Sequence, residues 1–275
     1  MKISILGYGT FGSAIGSYLS KRGHIIYKEE IKDAEVVIMA VPSFVVSEVL
    51  LKHKSEITNQ KIIICSKGFD KEGELISGTL DKEFFNNKIY FLYGPTLAEG
   101  LNNGELSAMV LAGGEGKEEL KNEIESDILH IELSDDVIGV QVGEALKNVV
   151  AIFVGIIEGA GYGQNTRAFI FTKGIQEIRN FGVVLGANPD TFLGLTCAGD
   201  LTMISRNRTL GIEFGKGSSL EEITEKMNYS PEGLTTLKNA IMIAKKYSIE
   251  IPFMNILHGI LFESAPIADA IKKIK

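Results

Sequence analysis

KISILGYGTFG, residues 2–12, decides the fold. Lys2 to Leu6 reads as a short buried strand. Gly7, Gly9 and Gly12 follow with the spacing GxGxxG, and the apolar positions Ala14, Ile15, Tyr18 and Leu19 then recur at helical spacing up to Gly23. In this arrangement Gly7 permits a tight turn. Gly9 lets backbone approach a pyrophosphate at the helix N-terminus, and Gly12 lets helix and strand pack closely. A glycine-rich turn of no function has the same letters. The strand before and the helix after are the context that dinucleotide binding requires.

The next stretch is less regular. An acidic residue is expected at the end of the second strand, where it holds a ribose 2′-hydroxyl. After His24-Ile25-Ile26-Tyr27 the chain reads Lys28-Glu29-Glu30, and the third strand, Glu35 to Val41, begins almost at once. A second helix of ordinary length has no room. Glu29 or Glu30 would hold a ribose, Lys28 would meet a 2′-phosphate, and a solvated charged turn fits equally. NAD and NADP both stay open. Further strands are expected at Lys61–Cys65, Ile89–Tyr93, Ser107–Ala112 and Ile128–Leu133, with a helix from about Val45 to Lys54. Ligands of parallel α/β sheets bind outside the carboxyl ends of the strands. Val41-Pro42-Ser43, Ser66-Lys67-Gly68 and Gly94-Pro95-Thr96-Leu97-Ala98-Glu99 all stand at such ends. Lys67 is either a ligand there or a solvated loop lysine. The alternation predicts a doubly wound Rossmann-type parallel sheet over residues 1–133.

Residues 134–275 carry little strand signal and predict an all-helical domain. Helical patterns cover about 134–159, 165–181, 189–197, 207–214, 219–227, 231–247 and 253–263. The first of these, SDDVIGVQVGEALKNVVAIFVGIIEGAG at 134–161, is apolar on every face from Ala145 to Ile157 except at Lys147 and Asn148. Ser134 fits an N-cap, with Asp135 and Asp136 in the first turn. A helix hydrophobic all round is a buried central helix, and the apolar run falls short of the roughly 20 residues that span a bilayer. Lys147 either snorkels or pairs with Glu144 one turn back, or is buried for chemistry. A polar loop, Ala198 to Arg208, holds Asp200, Ser205, Arg206, Asn207 and Arg208. Arginine suits bidentate phosphate binding; a Ser205 N-cap with a solvated helix start is the alternative.

The 275 residues, 45% hydrophobic and 23% charged, describe a globular chain with ample core. The net charge of -7 argues against nucleic acid as a partner. Cys65 and Cys197 lie apart in apolar surroundings, so neither a disulfide nor a zinc or other metal site is expected. Met1 leads directly into strand-like residues. No signal peptide and no membrane span are expected, and the location is read as cytoplasmic.

Taken in order, GYGTFG at 7–12, VPS at 41–43, SKG at 66–68, GPTLAE at 94–99, GEALKNVVAIFVGIIEGAGYGQNTRA at 143–168, GDL at 199–201, SRNR at 205–208 and PEG at 231–233 resemble the NAD(P)-dependent glycerol-3-phosphate dehydrogenases of the bacterial biosynthetic type. The long segment and SRNR are the specific parts. The resemblance implies reduction of dihydroxyacetone phosphate to sn-glycerol 3-phosphate, for glycerophospholipid synthesis, with NAD or NADP as cofactor. It implies Lys147 as the catalytic lysine, Lys67 as a lysine touching cofactor and substrate, and Asp200 as an aspartate beside the substrate. Gly94, Thr96 and Ala98 match a turn contacting substrate and nicotinamide, and Ser205, Arg206 and Asn207 a phosphate-binding triplet, with Arg206 also on the cofactor side. Gly7, Gly9, Thr10, Phe11 and Gly12 match cofactor contacts of the glycine loop, and Glu232 a later one. The partner implied is a small phosphorylated substrate; a homodimer stays open.

Two departures stand out. Relatives have several dozen residues between the second and third strands that this chain lacks. The loop from Asp200 to Arg206 is shorter, with Thr202 the candidate for the family's threonine. Three rivals stand beside this reading; one, a structural or interaction protein whose helical half only dimerises, would leave the polar loops unexplained. A related dehydrogenase of hydroxy acids or hydroxyacyl thioesters would not need Ser205-Arg206-Asn207. A non-catalytic dinucleotide sensor would not need a buried proton donor.

Overall fold

Strand and helix alternate from the first residues, as the apolar runs and glycines require. The computed structural model describes residues 1–84, 86–227 and 231–274. The first half runs β1 (Lys2–Leu6), α1 (Thr10–Lys21), β2 (Ile25–Lys28), β3 (Val36–Met39), α2 (Val46–Lys52), β4 (Lys61–Ile64), α3 (Ile76–Glu83), β5 (Ile89–Tyr93), α4 (Ala98–Asn103), β6 (Ser107–Gly113), α5 (Lys117–Ile124) and β7 (Leu129–Ser134). The second half is helical among the described residues: α6 (Val137–Gly159), α7 (Gln164–Val184), α8 (Arg206–Gly215), α9 (Leu220–Met227), α10 (Glu232–Tyr247), α11 (Pro252–Phe262) and α12 (Ile267–Ile271). The patterns did not announce α12.

The strands form one sheet in the order β2-β1-β3-β4-β5-β6-β7. It is Rossmann-type as expected, but not parallel throughout: β6 runs antiparallel to β5 and parallel to β7. Residues 94–106, with the six-residue α4 among them, join the two strands, and β6 starts at the edge of the sheet where β5 ends.

At the other side of the sheet β2 is the edge strand. Residues 29–35 alone cross over β1 to reach β3, where parallel crossovers ordinarily take a dozen residues or more. The short path is made with left-handed backbone at Glu29 (φ 58°) and Lys32 (φ 45°). It is pinned by the buried Ile31 and Ala34.

Ile3, Ile5, Ile15, Leu19 and Met109 pack on one face of the sheet, and Val37, Met39, Leu50, Ile64 and Leu80 on the other. A third core surrounds α6, where every residue from Gly139 to Ile157 is buried. Two expectations about this helix are corrected. It starts at Val137, because Ser134 closes β7 and Asp136 is the cap, its Oδ1 accepting from Gly139 N at 2.9 Å. With 23 residues it is long and apolar enough to cross a membrane, so length does not decide the matter; its complete burial inside this fold does. The expected helix at 189–197 is two short pieces, a 3-10 turn at Pro189–Leu193 and a π turn at Leu195–Gly199. The helix expected from about Val45 likewise opens with a 3-10 turn, Ser43–Val45.

Candidate functional site

The parallel strands β1, β3, β4 and β5 end on one edge, and their last residues lead into Gly7, Pro42-Ser43, Ser66-Lys67 and Gly94. Gly7 has φ 95°, and Gly12 lies so near the Gly7 carbonyl oxygen that a Cβ there would collide with it. A Cβ on Gly9 would meet nothing within 4 Å. Gly9 also stands at the N-cap of α1 without a side-chain cap, so the first backbone N–H groups of α1 have no capping side chain. Open space over uncapped donors fits a pyrophosphate, and Thr10 and Phe11 begin the helix beside it.

Glu29 is turned onto this loop by its left-handed backbone. Its carboxylate accepts from Tyr8 N at 2.7 Å and from Gly7 N at 3.2 Å. The cations nearby are engaged: Lys28 Nζ stands 4.6 Å from the Tyr8 ring centre, and Lys32 pairs with Glu30 at 2.6 Å. Of the alternatives left open by sequence, the structure places Glu29, and not Glu30, at the glycine loop.

Lys147 rises from the middle of α6 to the same edge. It is buried, and its ammonium donates to Glu144 Oε1 at 2.6 Å and contacts Asp200 Oδ2. Lys67 arrives from β4 and reaches the same Glu144 oxygen at 2.7 Å and Asp200 Oδ2 at 3.5 Å. Two ammoniums and two carboxylates thus form one cluster, joining residues far apart in sequence. Burial pulls the Lys147 pKa down to about 7; Glu144 opposes that fall and Lys67 adds to it. Burial would lower Lys67 as well, but the charge and hydrogen bond of Glu144 outweigh it, and its pKa is raised. Lys147 therefore does not snorkel: it is buried and pairs with Glu144.

The first turn of α10 closes the cluster. Glu232 stands beside the Ser43 backbone and faces Lys67, and its carboxyl is pushed up to about 7 mainly by burial. Next to it Gly233 N donates to Asn207 Oδ1 at 3.0 Å. A Cβ on Gly233 would stand 2.6 Å from that oxygen and 2.9 Å from the Asn148 carbonyl, so α6, α8 and α10 meet here.

Ser205 caps a helix start, the alternative that the sequence left open: Arg206, Asn207 and Arg208 form the first turn of α8, Ser205 Oγ accepting from Arg208 N at 3.3 Å. Arg208 is taken by Glu158 at 2.8 Å and ties α8 to α6. Arg206 is exposed at the helix start. α8 comes close because Gly155 and Gly159 of α6 face Gly211 and Gly215 of α8, and a Cβ on any of them would strike the other helix's backbone. Thr96 is buried and donates to the Ala108 carbonyl at 3.1 Å. Gly94 (φ 149°) would place a Cβ 2.7 Å from that same carbonyl, and Ala98 opens α4. Thr202 is exposed, its hydroxyl donating to Gly199 O at 2.7 Å. Cys65 and Cys197 are buried free thiols.

Sequence reasoning missed Glu144 as a partner of Lys67. It also missed the contact of Ser43 with Glu232. Only a helical i, i+3 relation between Glu144 and Lys147 was visible along the chain.

Known proteins were compared with this chain. Sequence models described as the NAD-dependent glycerol-3-phosphate dehydrogenase N-terminus and C-terminus match residues 26–119 and 136–272. A glycerol-3-phosphate dehydrogenase [NAD(P)+] of Thermoanaerobacter sp. is 34% identical over 308 positions, covering 96% of this chain and 93% of the relative. One from Fusobacterium nucleatum is 32% identical, covering 100% of this chain and 96% of the relative. The crystal structure of glycerol-3-phosphate dehydrogenase from Coxiella burnetii superposes with a TM-score of 0.93 at 25% identity, covering 99% of this chain and 98% of that one. The 308 aligned positions exceed the 275 residues here.

Proposed function

The chain belongs to the NAD-dependent glycerol-3-phosphate dehydrogenase family and is an NAD(P)-dependent oxidoreductase reducing dihydroxyacetone phosphate to glycerol 3-phosphate; we propose that Lys147 is its proton donor, within a site shared by residues 1–133 and 134–275. The observation that supports this is the buried Lys147 held by Glu144 and Asp200 beside Lys67, at the strand ends that carry the glycine loop. The bound nicotinamide supplies the hydride. Lys147 gives its proton to the carbonyl oxygen as negative charge builds there, and takes it back in the reverse direction. An ammonium whose pKa is about 7 serves both directions near neutral pH. Lys67 adds positive charge at the same oxygen, and Asp200 keeps both lysines in place. Gly94, Thr96 and Ala98 shape the floor of the site. Gly7, Gly9, Thr10, Phe11 and Gly12 hold the cofactor pyrophosphate, with Glu232 and Lys67 at its nicotinamide end. A spectrophotometric assay with dihydroxyacetone phosphate and each of NADH and NADPH tests the reading; no reduction with either cofactor overturns it.

The substrate phosphate is assigned to Ser205, Arg206 and Asn207. With Asn207 Oδ1 engaged by Gly233, the amide nitrogen is the end that donates to phosphate. Lysine at 206 keeps the charge and loses the guanidinium fork. Hydrogen bonds to charged groups are worth roughly 1.5–3 kcal/mol. Arg206→Lys therefore lowers kcat/KM for dihydroxyacetone phosphate by at least about tenfold, while the very low rate with unphosphorylated dihydroxyacetone hardly changes. If the native protein reduces dihydroxyacetone as well as its phosphate, the phosphate assignment is wrong.

Glu29 supports a preference for NADH. Its carboxylate sits at the end of β2, where it accepts from a ribose 2′-hydroxyl and repels a 2′-phosphate. Calorimetry is expected to give NADH at least about tenfold tighter than NADPH, a difference of about 1.4 kcal/mol, and Glu29→Gln to narrow the ratio. Equal affinities in the native protein would remove Glu29 from cofactor selection.

We place the protein in the cytoplasm, which agrees with two buried free thiols, as a supplier of glycerophospholipid synthesis. A homodimer is the assembly proposed; a monomer mass in analytical ultracentrifugation refutes it.

A further inference from the structure

Glu144 makes an odd structural residue. Its side chain is 0% exposed, and burying a carboxylate is costly unless it is paired and hydrogen-bonded. For packing alone, an apolar residue in that place serves as well or better. The chain has a buried carboxylate that does act as a brace. Glu177 uses both oxygens on backbone, accepting from Phe253 N at 2.7 Å and Met254 N at 2.8 Å. Glu144 is arranged differently. Oε1 takes Lys147 Nζ at 2.6 Å and Lys67 Nζ at 2.7 Å, while Oε2 is buried and accepts no hydrogen bond from the described residues. A buried polar atom left so calls for an explanation other than stability.

We propose that Glu144 is a positioning residue of the reaction: through one oxygen it clasps both ammonium groups side by side and sets how readily the buried one gives up its proton. The inference rests on the reading of Lys147 as proton donor. The two lysines are unequal partners, since the side chain of Lys67 is 28% exposed and that of Lys147 only 4%. At the partly exposed Lys67 Glu144 outweighs burial, and at the fully enclosed Lys147 burial outweighs Glu144. Two like charges gathered on one oxygen also disfavour each other. The less hydrated ammonium is then the one that parts with a proton when an alkoxide forms beside it.

The other groups facing this carboxylate leave that division intact. Asp200 contacts both lysines. Cys65 from the end of β4 and Cys197 from the π turn are each pushed up to about 12 by burial. Tyr93 at the end of β5 is raised well above its ordinary value, again by burial. These three carry no charge near neutral pH. Glu232, from α10, titrates at about 7 and faces Lys67.

The test follows the Nζ signals of 15N-labelled lysines through a pH titration of the unliganded protein, with Lys147 assigned by its loss in Lys147→Met. Glu144→Gln keeps an oxygen that accepts from both lysines but removes the charge. The Lys147 midpoint is expected to fall by about one pH unit or more, about tenfold in proton affinity. Glu144→Asp keeps the charge and restores most of the shift. Lys67→Met removes the rival ammonium and moves the midpoint up; at a partly exposed position it carries the test by itself if Glu144→Gln does not fold. In kinetics, the alkaline limb for carbonyl reduction and the acid limb for alcohol oxidation report the same group, so Glu144→Gln moves both down together. A brace without this role would lower rates and leave the limbs in place. An unmoved Lys147 midpoint in Glu144→Gln, or one that does not rise in Lys67→Met, overturns the proposal. The titration needs no substrate, so inactivity toward dihydroxyacetone phosphate would strike the substrate reading and leave this result to be judged separately.

Discussion

Replacing Lys147 by methionine is expected to lower kcat for reduction of dihydroxyacetone phosphate by about 10²–10⁴-fold or more, with NADH still bound. Methionine keeps the length and the apolar stem, so the helix packing around position 147 survives. What goes is the ammonium that donates to Glu144 and contacts Asp200. Losing a proton donor at the carbonyl oxygen removes about 3–5 kcal/mol of transition-state stabilisation, at 1.36 kcal/mol per tenfold. There is a second consequence. Glu144 is wholly buried and, among the described residues, keeps only Lys67 as an ionic partner of its carboxylate. Removing one partner of a buried pair costs about 3–5 kcal/mol, reduced here because Lys67 remains, so the variant also unfolds at lower temperature. Kinetics are therefore read below its Tm, beside a calorimetric Kd for NADH. An unchanged Kd with collapsed kcat assigns the loss to chemistry. Turnover close to that of the native protein would remove Lys147 from the mechanism.

Much of this site was legible in the sequence because its parts are local patterns. A glycine loop between strand and helix, turns after apolar runs, and a lysine inside an apolar helix are each visible within a dozen residues. The strand ends put Lys67, Gly94 and the loop on one edge as a matter of topology. Properties that depend on distant partners were not legible. The apolar run Ser107–Gly113 reads the same in either direction, and its antiparallel placement beside β5 has no local signature. Ser134, Asp135 and Asp136 are all capable caps, and Asp136 takes the role because its second oxygen also accepts from Thr191 Oγ1 at 2.6 Å and Asn188 N at 3.0 Å. The clasp of Glu144 on Lys67 joins residues 77 positions apart (144 − 67) and has no sequence signature. Ser205-Arg206-Asn207-Arg208 reads equally as a polar loop or as a capped helix start, and the Ser205 cap decides for the helix.

The glycine loop allows a cleaner separation of function from folding than the lysine does. Gly9→Val is expected to abolish dinucleotide binding and leave the fold intact. Gly9 has φ -77° and ψ -155°, extended backbone that a β-branched residue adopts without strain. A Cβ there meets no atom within 4 Å. The space it enters is the space through which the backbone must approach the pyrophosphate, so the added carbons oppose the ligand alone. Gly12→Ala is the counter-case. A Cβ at Gly12 collides with the Gly7 carbonyl oxygen, α1 is forced off β1, and the protein loses stability before any question of ligand arises. Circular dichroism melting and calorimetric titration with NADH, run on both variants, divide the two effects. The expected pair is a near-native melt without NADH binding for Gly9→Val, and a lowered melt for Gly12→Ala. Binding of NADH by Gly9→Val with native affinity would mean that the pyrophosphate does not pass over Gly9, and the cofactor site assigned to Gly7, Gly9, Thr10, Phe11 and Gly12 would have to be abandoned.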